Sequence, residues 1–131
     1  MKRSRELLIM ENNALESAYQ YAQARATELQ RQAETIQRLL AECISAEAAL
    51  KNAGRESLVP IGAGTFVPAT TRKGSALIEV GSGFCLEATP EEAAASIAKK
   101  RAQLEKAFDN VQRLLEEASR ELMGLEEKLS Q

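Results

Sequence analysis

Reactive chemistry has few footholds in this sequence. Its 131 residues include no histidine, which removes the commonest general base and the commonest transition-metal ligand. The two cysteines, Cys43 and Cys85, lie in segments of different type without metal-ligand spacing. Sequence leaves a disulfide between them open, but neither has a cationic neighbour to make a reactive thiolate. Two such thiols fit a reducing compartment, with Cys43 as a small hydrophobe on a helix seam and Cys85 as a buried or interface strand residue. Gly62-Ala63-Gly64 and Gly81-Ser82-Gly83 lack both the Lys-Ser/Thr and the following helix that a phosphate loop needs. The carboxylates fall on polar helix faces or at strand ends, with no pair framed for acid–base or metal work. Catalytic residues, metal ligands and cofactors are therefore all expected to be absent.

What remains is adhesion. Leu7, Leu8, Ile9 and Met10 are four consecutive apolar residues near the amino terminus, and Leu122, Met123, Leu125 and Leu129 enrich the far end of the chain. A third group is strand-like and clusters mid-chain: Leu58, Val59, Ile61, Phe66, Val67, Leu77, Ile78, Val80, Phe84 and Leu86.

The elements that carry these groups follow from hydrophobic periodicity. From Leu8, every seventh residue is apolar: Leu15, Ala22, Leu29, Ile36, Cys43 and Leu50. A second series, Asn12, Tyr19, Ala26, Ala33, Leu40 and Glu47, is apolar in its middle and polar at its ends. A repeat of 3.5 residues kept up this long predicts a coiled-coil helix over residues 4–53. A second helix is expected over residues 89–130. Thr89, Pro90 and Glu92 form a capping-box entry, followed by the series Ile97, Leu104, Val111, Ala118, Leu125 and Arg101, Phe108, Leu115, Leu122, Leu129.

Between them, residues 57–88 hold five of the seven glycines and two of the three prolines. Three Gly-bearing turns separate four β-prone runs, at 57–61, 65–71, 75–80 and 84–88, which predicts two β-hairpins or a small meander. Pro60 and Pro68 lack a donor and belong on edge strands or beside bulges. Four short strands cannot stand alone with so large an apolar face uncovered. That face and its open edges are expected to pair with other subunits.

Charge points the same way. Residues 1–53 carry seven basic and seven acidic groups, residues 54–88 three of each, and residues 89–131 seven and nine. Interspersed signs suit solvated helix faces, and a formal charge of −2 offers no patch for nucleic acid. No apolar run is long enough for a signal peptide or a membrane span, so the expectation is cytoplasmic with no membrane partner.

The run LVPIGAGTFVP at residues 58–68, followed by ALIEVGSGFCLE at 76–87, resembles the twin-hairpin core of alpha-class prefoldins. The resemblance covers the chain from helix to helix, as a single prefoldin domain over residues 1–131. It departs from many members in its shorter helical tips and in having nothing beyond Gln131. The fold class implied is mainly α with a small β part: a long antiparallel coiled coil joined by two β-hairpins that assemble into an oligomeric β-barrel platform. The family further implies a hexamer of two alpha and four beta subunits. Such a complex is an ATP-independent holdase that takes non-native polypeptides at its coiled-coil tips and passes them to a group II chaperonin, typically in an archaeon. The alternative within the family is a gamma-type protein that assembles with itself into filaments; an enzyme built on a helical hairpin is disfavoured by the missing histidine.

A register argument adds to the resemblance. If Ala53 and Pro90 lie level, Gln131 falls beside Asn12 and the amino-terminal helix overhangs by roughly two to three turns. Residues 7–10 would then project beyond the partner helix as a client grip, with Met10 lending adaptability. Gly124 weakens the opposite end by about 1 kcal/mol relative to Ala. Leu122, Met123, Leu125 and Leu129 would join the grip if both ends fray; the alternative makes Leu122, Leu125 and Leu129 plain seam residues.

Overall fold

A computed structural model describes residues 2–131, with the side chain of Lys2 left aside. The order is α1 (Lys2–Lys51), β1 (Glu56–Gly62), β2 (Thr65–Thr70), β3 (Ala76–Gly81), β4 (Phe84–Ala88) and α2 (Pro90–Leu129). Both helices run unbroken over the predicted seams. α1 stops at Lys51, two residues short of the expected end, because the backbone from Asn52 onward tightens into turns and Gly54 takes a left-handed φ of 86°. A side chain is strained at such a φ, and glycine is not. The Gly54 N–H donates to the Thr71 hydroxyl at 3.1 Å, tying the helix exit to the end of the first hairpin.

α2 starts where the capping residues place it. The Thr89 hydroxyl accepts from the Glu92 N–H at 3.1 Å, and its carbonyl accepts from the Ala93 N–H at 3.0 Å. Glu91 and Glu92 put negative charge on the first turn, where the exposed N–H groups favour it.

The chain divides into two compact units. The first comprises α1 up to Arg38 and α2 from Glu105 onward. Its core is thin: Leu29, Ala33, Val111 and Ala118 form the buried cluster, with Ala26, Ile36, Phe108, Leu114 and Leu115 packed partly against it. Ala118 is 0% exposed, and Ala22 is buried as well. All but Leu114 of these residues sit on the heptad series. Alanine at successive levels lets two helices approach closely, which is how a sequence poor in large side chains still buries a seam.

The second unit, Leu39–Leu104, holds the hairpins. They form two separate two-stranded antiparallel sheets, β1 with β2 and β3 with β4, so the meander alternative does not apply. Each closes on a two-residue loop, Ala63-Gly64 or Ser82-Gly83. All four loop residues have positive φ, at 52° and 72° in the first and 52° and 79° in the second. Two positive φ values make the primed turn whose twist matches paired strands. A register irregularity just before each turn leaves Ile61 and Val80 as extra bulge residues. Pro60 sits beside the first bulge, and both prolines lie on edge strands, as every strand of a two-stranded sheet does.

Candidate interaction surfaces

The hairpins leave their apolar groups in solvent. Leu58, Val59, Ile61, Phe66, Val67, Leu77, Val80, Phe84 and Leu86 are all exposed, Leu77 reaching 73%; of the ten residues read as an assembly surface only Ile78 is half-buried. Register explains why intrachain packing cannot cover them. Residues opposite one another share a sheet face, so Leu58, Pro60, Phe66 and Pro68 line one side of the first hairpin. Val59, Val67 and Ala69 line the other. This hairpin is therefore apolar on both faces, whereas a solvated hairpin alternates. The second hairpin is different. Ala76, Ile78, Leu86 and Ala88 share an apolar face, while Leu77, Glu79, Cys85 and Glu87 share a mixed one.

The second candidate surface is the amino-terminal end of α1. Leu7, Leu8, Ile9 and Met10 are 58–65% exposed. Four consecutive helical residues point roughly 100° apart, so they make an apolar collar around the helix rather than a stripe. Leu8 continues the heptad series in sequence but not in burial, because no residue of α2 lies level with it. The cross-helix pair that fixes this is Tyr19, whose hydroxyl donates to Glu126 Oε1 at 3.0 Å. Counting five residues on from Glu126 and five back from Tyr19 puts Gln131 level with Ala14, two residues from the expected Asn12. On the opposite helix, Met123 is 69% exposed while Leu122, Leu125 and Leu129 are half-buried in the seam.

Two polar members of the seam, Glu47 and Arg101, pair with each other. Arg101 Nη1 lies 2.8 Å from Glu47 Oε2, in a partly buried pair that joins the two helices within the second unit. The other oxygen, Glu47 Oε1, is buried without a hydrogen-bond partner. Ion pairs within single helices, such as Arg113–Glu117 and Arg120–Glu116, lie on solvent faces and contribute little.

Some exposed apolar residues escaped the sequence reading. Ile44 is 61% exposed, and Tyr21 and Leu39 are also in solvent. Each lies off both heptad series, and a search for apolar residues outside the seam would have found them. Cys85 is exposed rather than buried, since the face it shares has no cover within the chain; Cys43 is half-buried, and both are free thiols. Among the described residues no group of His, Cys, Asp or Glu is placed to hold a metal ion, and no helix is long and apolar enough to cross a membrane.

Comparison with known proteins matches these features as a set. The family profile "Prefoldin subunit" covers residues 15–131 and begins at Leu15, the first half-buried member of the α1 seam. A prefoldin subunit alpha from Thermofilum pendens is 36% identical over 110 residues, spanning 79% of this chain and 80% of that protein. Prefoldin subunits alpha from Pyrococcus horikoshii and Methanosarcina mazei are each 31% identical, again over 79% of this chain and over 75% and 84% of theirs. Among solved structures, a filamentous prefoldin from Methanocaldococcus jannaschii superposes with a TM-score of 0.66 at 21% identity. It covers 83% of this chain and 95% of that one, a likeness of fold. With two seamed helices, two hairpins and the LVPIGAGTF element all in place, the chain belongs to the prefoldin family and is similar to its archaeal alpha subunits.

Proposed function

We propose that this chain is the alpha-type subunit of a hexameric, ATP-independent holdase, joined to four beta-type subunits and a second copy of itself. The observation that carries the proposal is the exposure of apolar residues on both faces of the β1–β2 hairpin. A hairpin of that kind is stable only when other strands bury it, and a shared β-barrel does so. Clients are held at the amino-terminal collar of Leu7, Leu8, Ile9 and Met10, with Met123 contributing from α2, and are then passed to a group II chaperonin. The grip needs no nucleotide and no catalysis, because burial of apolar surface alone supplies the affinity. The whole chain acts as one prefoldin domain in the cytoplasm.

Native mass measurement tests the assembly. The chain mixed with a single-hairpin beta-type subunit is expected to give a two-to-four complex; a stable monomer at high dilution would defeat the reading. Removing residues 1–10 tests the grip: the complex should persist while suppression of client aggregation is lost. A second reading, self-assembly into filaments, is favoured by one observation. The fold neighbour from Methanocaldococcus jannaschii is filamentous, and a contact between unlike surfaces that does not close yields a filament. A ladder of masses from the chain alone would select it.

A further inference from the structure

Burial alternates along β3: Ala76 and Ile78 are half-buried, while Leu77 and Glu79 between and beyond them are exposed. The half-buried positions keep step with the register, Ala76 facing Ala88 and Ile78 facing Leu86. Cross-strand partners share a sheet face, and Ala88 is only 8% exposed. Alternation along β4 adds Phe84 to that face. One face of the second hairpin is thus apolar throughout, and the chain itself covers only its base. Past the base, Leu86 is 60% and Phe84 72% exposed.

The reverse face carries Leu77 opposite Glu87 and Glu79 opposite Cys85, and all four are exposed. Oε1 of Glu87 accepts from the Ser75 hydroxyl at 3.2 Å, a contact made at the surface. Closing a barrel over this face would strip water from two carboxylates, which costs more than burying Leu77 and Cys85 returns. Closing it over the other face strips water from apolar groups alone, which is favourable. The first hairpin poses no such choice, since both of its faces are apolar.

We propose that the second hairpin enters the shared barrel with Ala76, Ile78, Phe84, Leu86 and Ala88 facing the barrel interior, against apolar side chains of the neighbouring subunits' strands. Leu77, Glu79, Cys85 and Glu87 then form part of its outer, solvated wall. The inference rests on the assembly proposed above and sets which way this hairpin faces within it. It also takes Leu77 out of the ten residues read from sequence as an assembly surface.

Maleimide labelling in the complex of the full chain with a beta-type subunit tests this, read by mass so that labels on the two chains are told apart. In a Cys43→Ser chain, Cys85 should react in the complex within about threefold of its rate in the isolated chain. A thiol moved to the apolar face, by Leu86→Cys with Cys43→Ser and Cys85→Ser, should slow about 100-fold or more on assembly. Protection of Cys85, or free reaction of the thiol at position 86 in the complex, would overturn the orientation while leaving the assembly standing. If the unaltered chain gives no complex at all, the assembly falls and the orientation with it. Charge provides a second measurement. Leu77→Lys should form the complex as the unaltered chain does, whereas Ile78→Lys should prevent it with helix content by circular dichroism retained. Assembly of Ile78→Lys, or its loss in Leu77→Lys, would overturn the proposal.

Discussion

The phenol of Tyr19 reaches across from α1 and donates to Oε1 of Glu126 on α2, fixing the level at which the two helices face each other. The hydrogen bond to the Glu126 carboxylate, and next its negative charge, raise the Tyr19 pKa above the ordinary value of 10.0, with burial adding a smaller push. A folded value above the unfolded one means that the pair's contribution is full below about pH 10 and is lost as pH rises through the folded value. In a Tyr21→Phe background, an absorbance titration should find the Tyr19 phenol ionising late. Glu126→Gln should bring it back towards the ordinary value. Identical titrations in the two proteins would show that the pair does not form in solution.

Ala118 has no exposed surface and belongs to the buried cluster it forms with Leu29, Ala33 and Val111. Ala118→Leu is therefore expected to overpack the seam and cost about 1–3 kcal/mol. Urea unfolding followed by circular dichroism gives the number; a variant as stable as the wild type would mean the helices can separate at that level without penalty.

Glu47 and Arg101 each occupy a polar position in a heptad series, and they meet at 2.8 Å. Arg101→Leu leaves the Glu47 carboxylate partly buried without this partner, and should lower stability by about 1–2 kcal/mol after allowance for solvent screening. The double change Glu47→Leu with Arg101→Leu should recover most of that, since apolar pairs often replace buried ion pairs without loss. A double variant weaker than the single one would contradict this.

The hairpin turns offer a change in each direction. Gly64 has φ 72° with open space where a Cβ would sit, so Gly64→Ala meets no clash and costs only the left-handed backbone, about 1–2 kcal/mol. Ala63 already bears such a conformation at φ 52°. Ala63→Asn creates the Asn-Gly pair that primed turns favour and should stabilise the hairpin. Melting of the assembled complex should move down for the first and up for the second.

The seam and the turns were legible in the sequence for a physical reason: each depends on local spacing. Heptads such as Leu15, Ala22, Leu29 and Ile36 mark which side of α1 is buried, and Gly-Ala-Gly and Gly-Ser-Gly mark where strands reverse. The level of the helices came within two residues, because equal rise along both helices carries a register from one end to the other. Other features were not local. The bulges at Ile61 and Val80 and the split into two sheets both depend on which strand lies opposite. The tie between the α1 exit and the first hairpin uses the Thr71 hydroxyl, seventeen residues beyond Gly54. Exposure of Ile44, Tyr21 and Cys85 reflects what is missing beside them, which no heptad records.

The alanine levels of the seam have a mechanical consequence. Ala22, Ala26 and Ala33 on α1 and Ala118 on α2 each contribute little more than a methyl group, worth on the order of 0.8 kcal/mol. Leu29 and Val111 beside them are almost wholly buried and carry several times that. The fastening of the two helices in the first unit therefore rests on a few large clasps, with slack stretches between them.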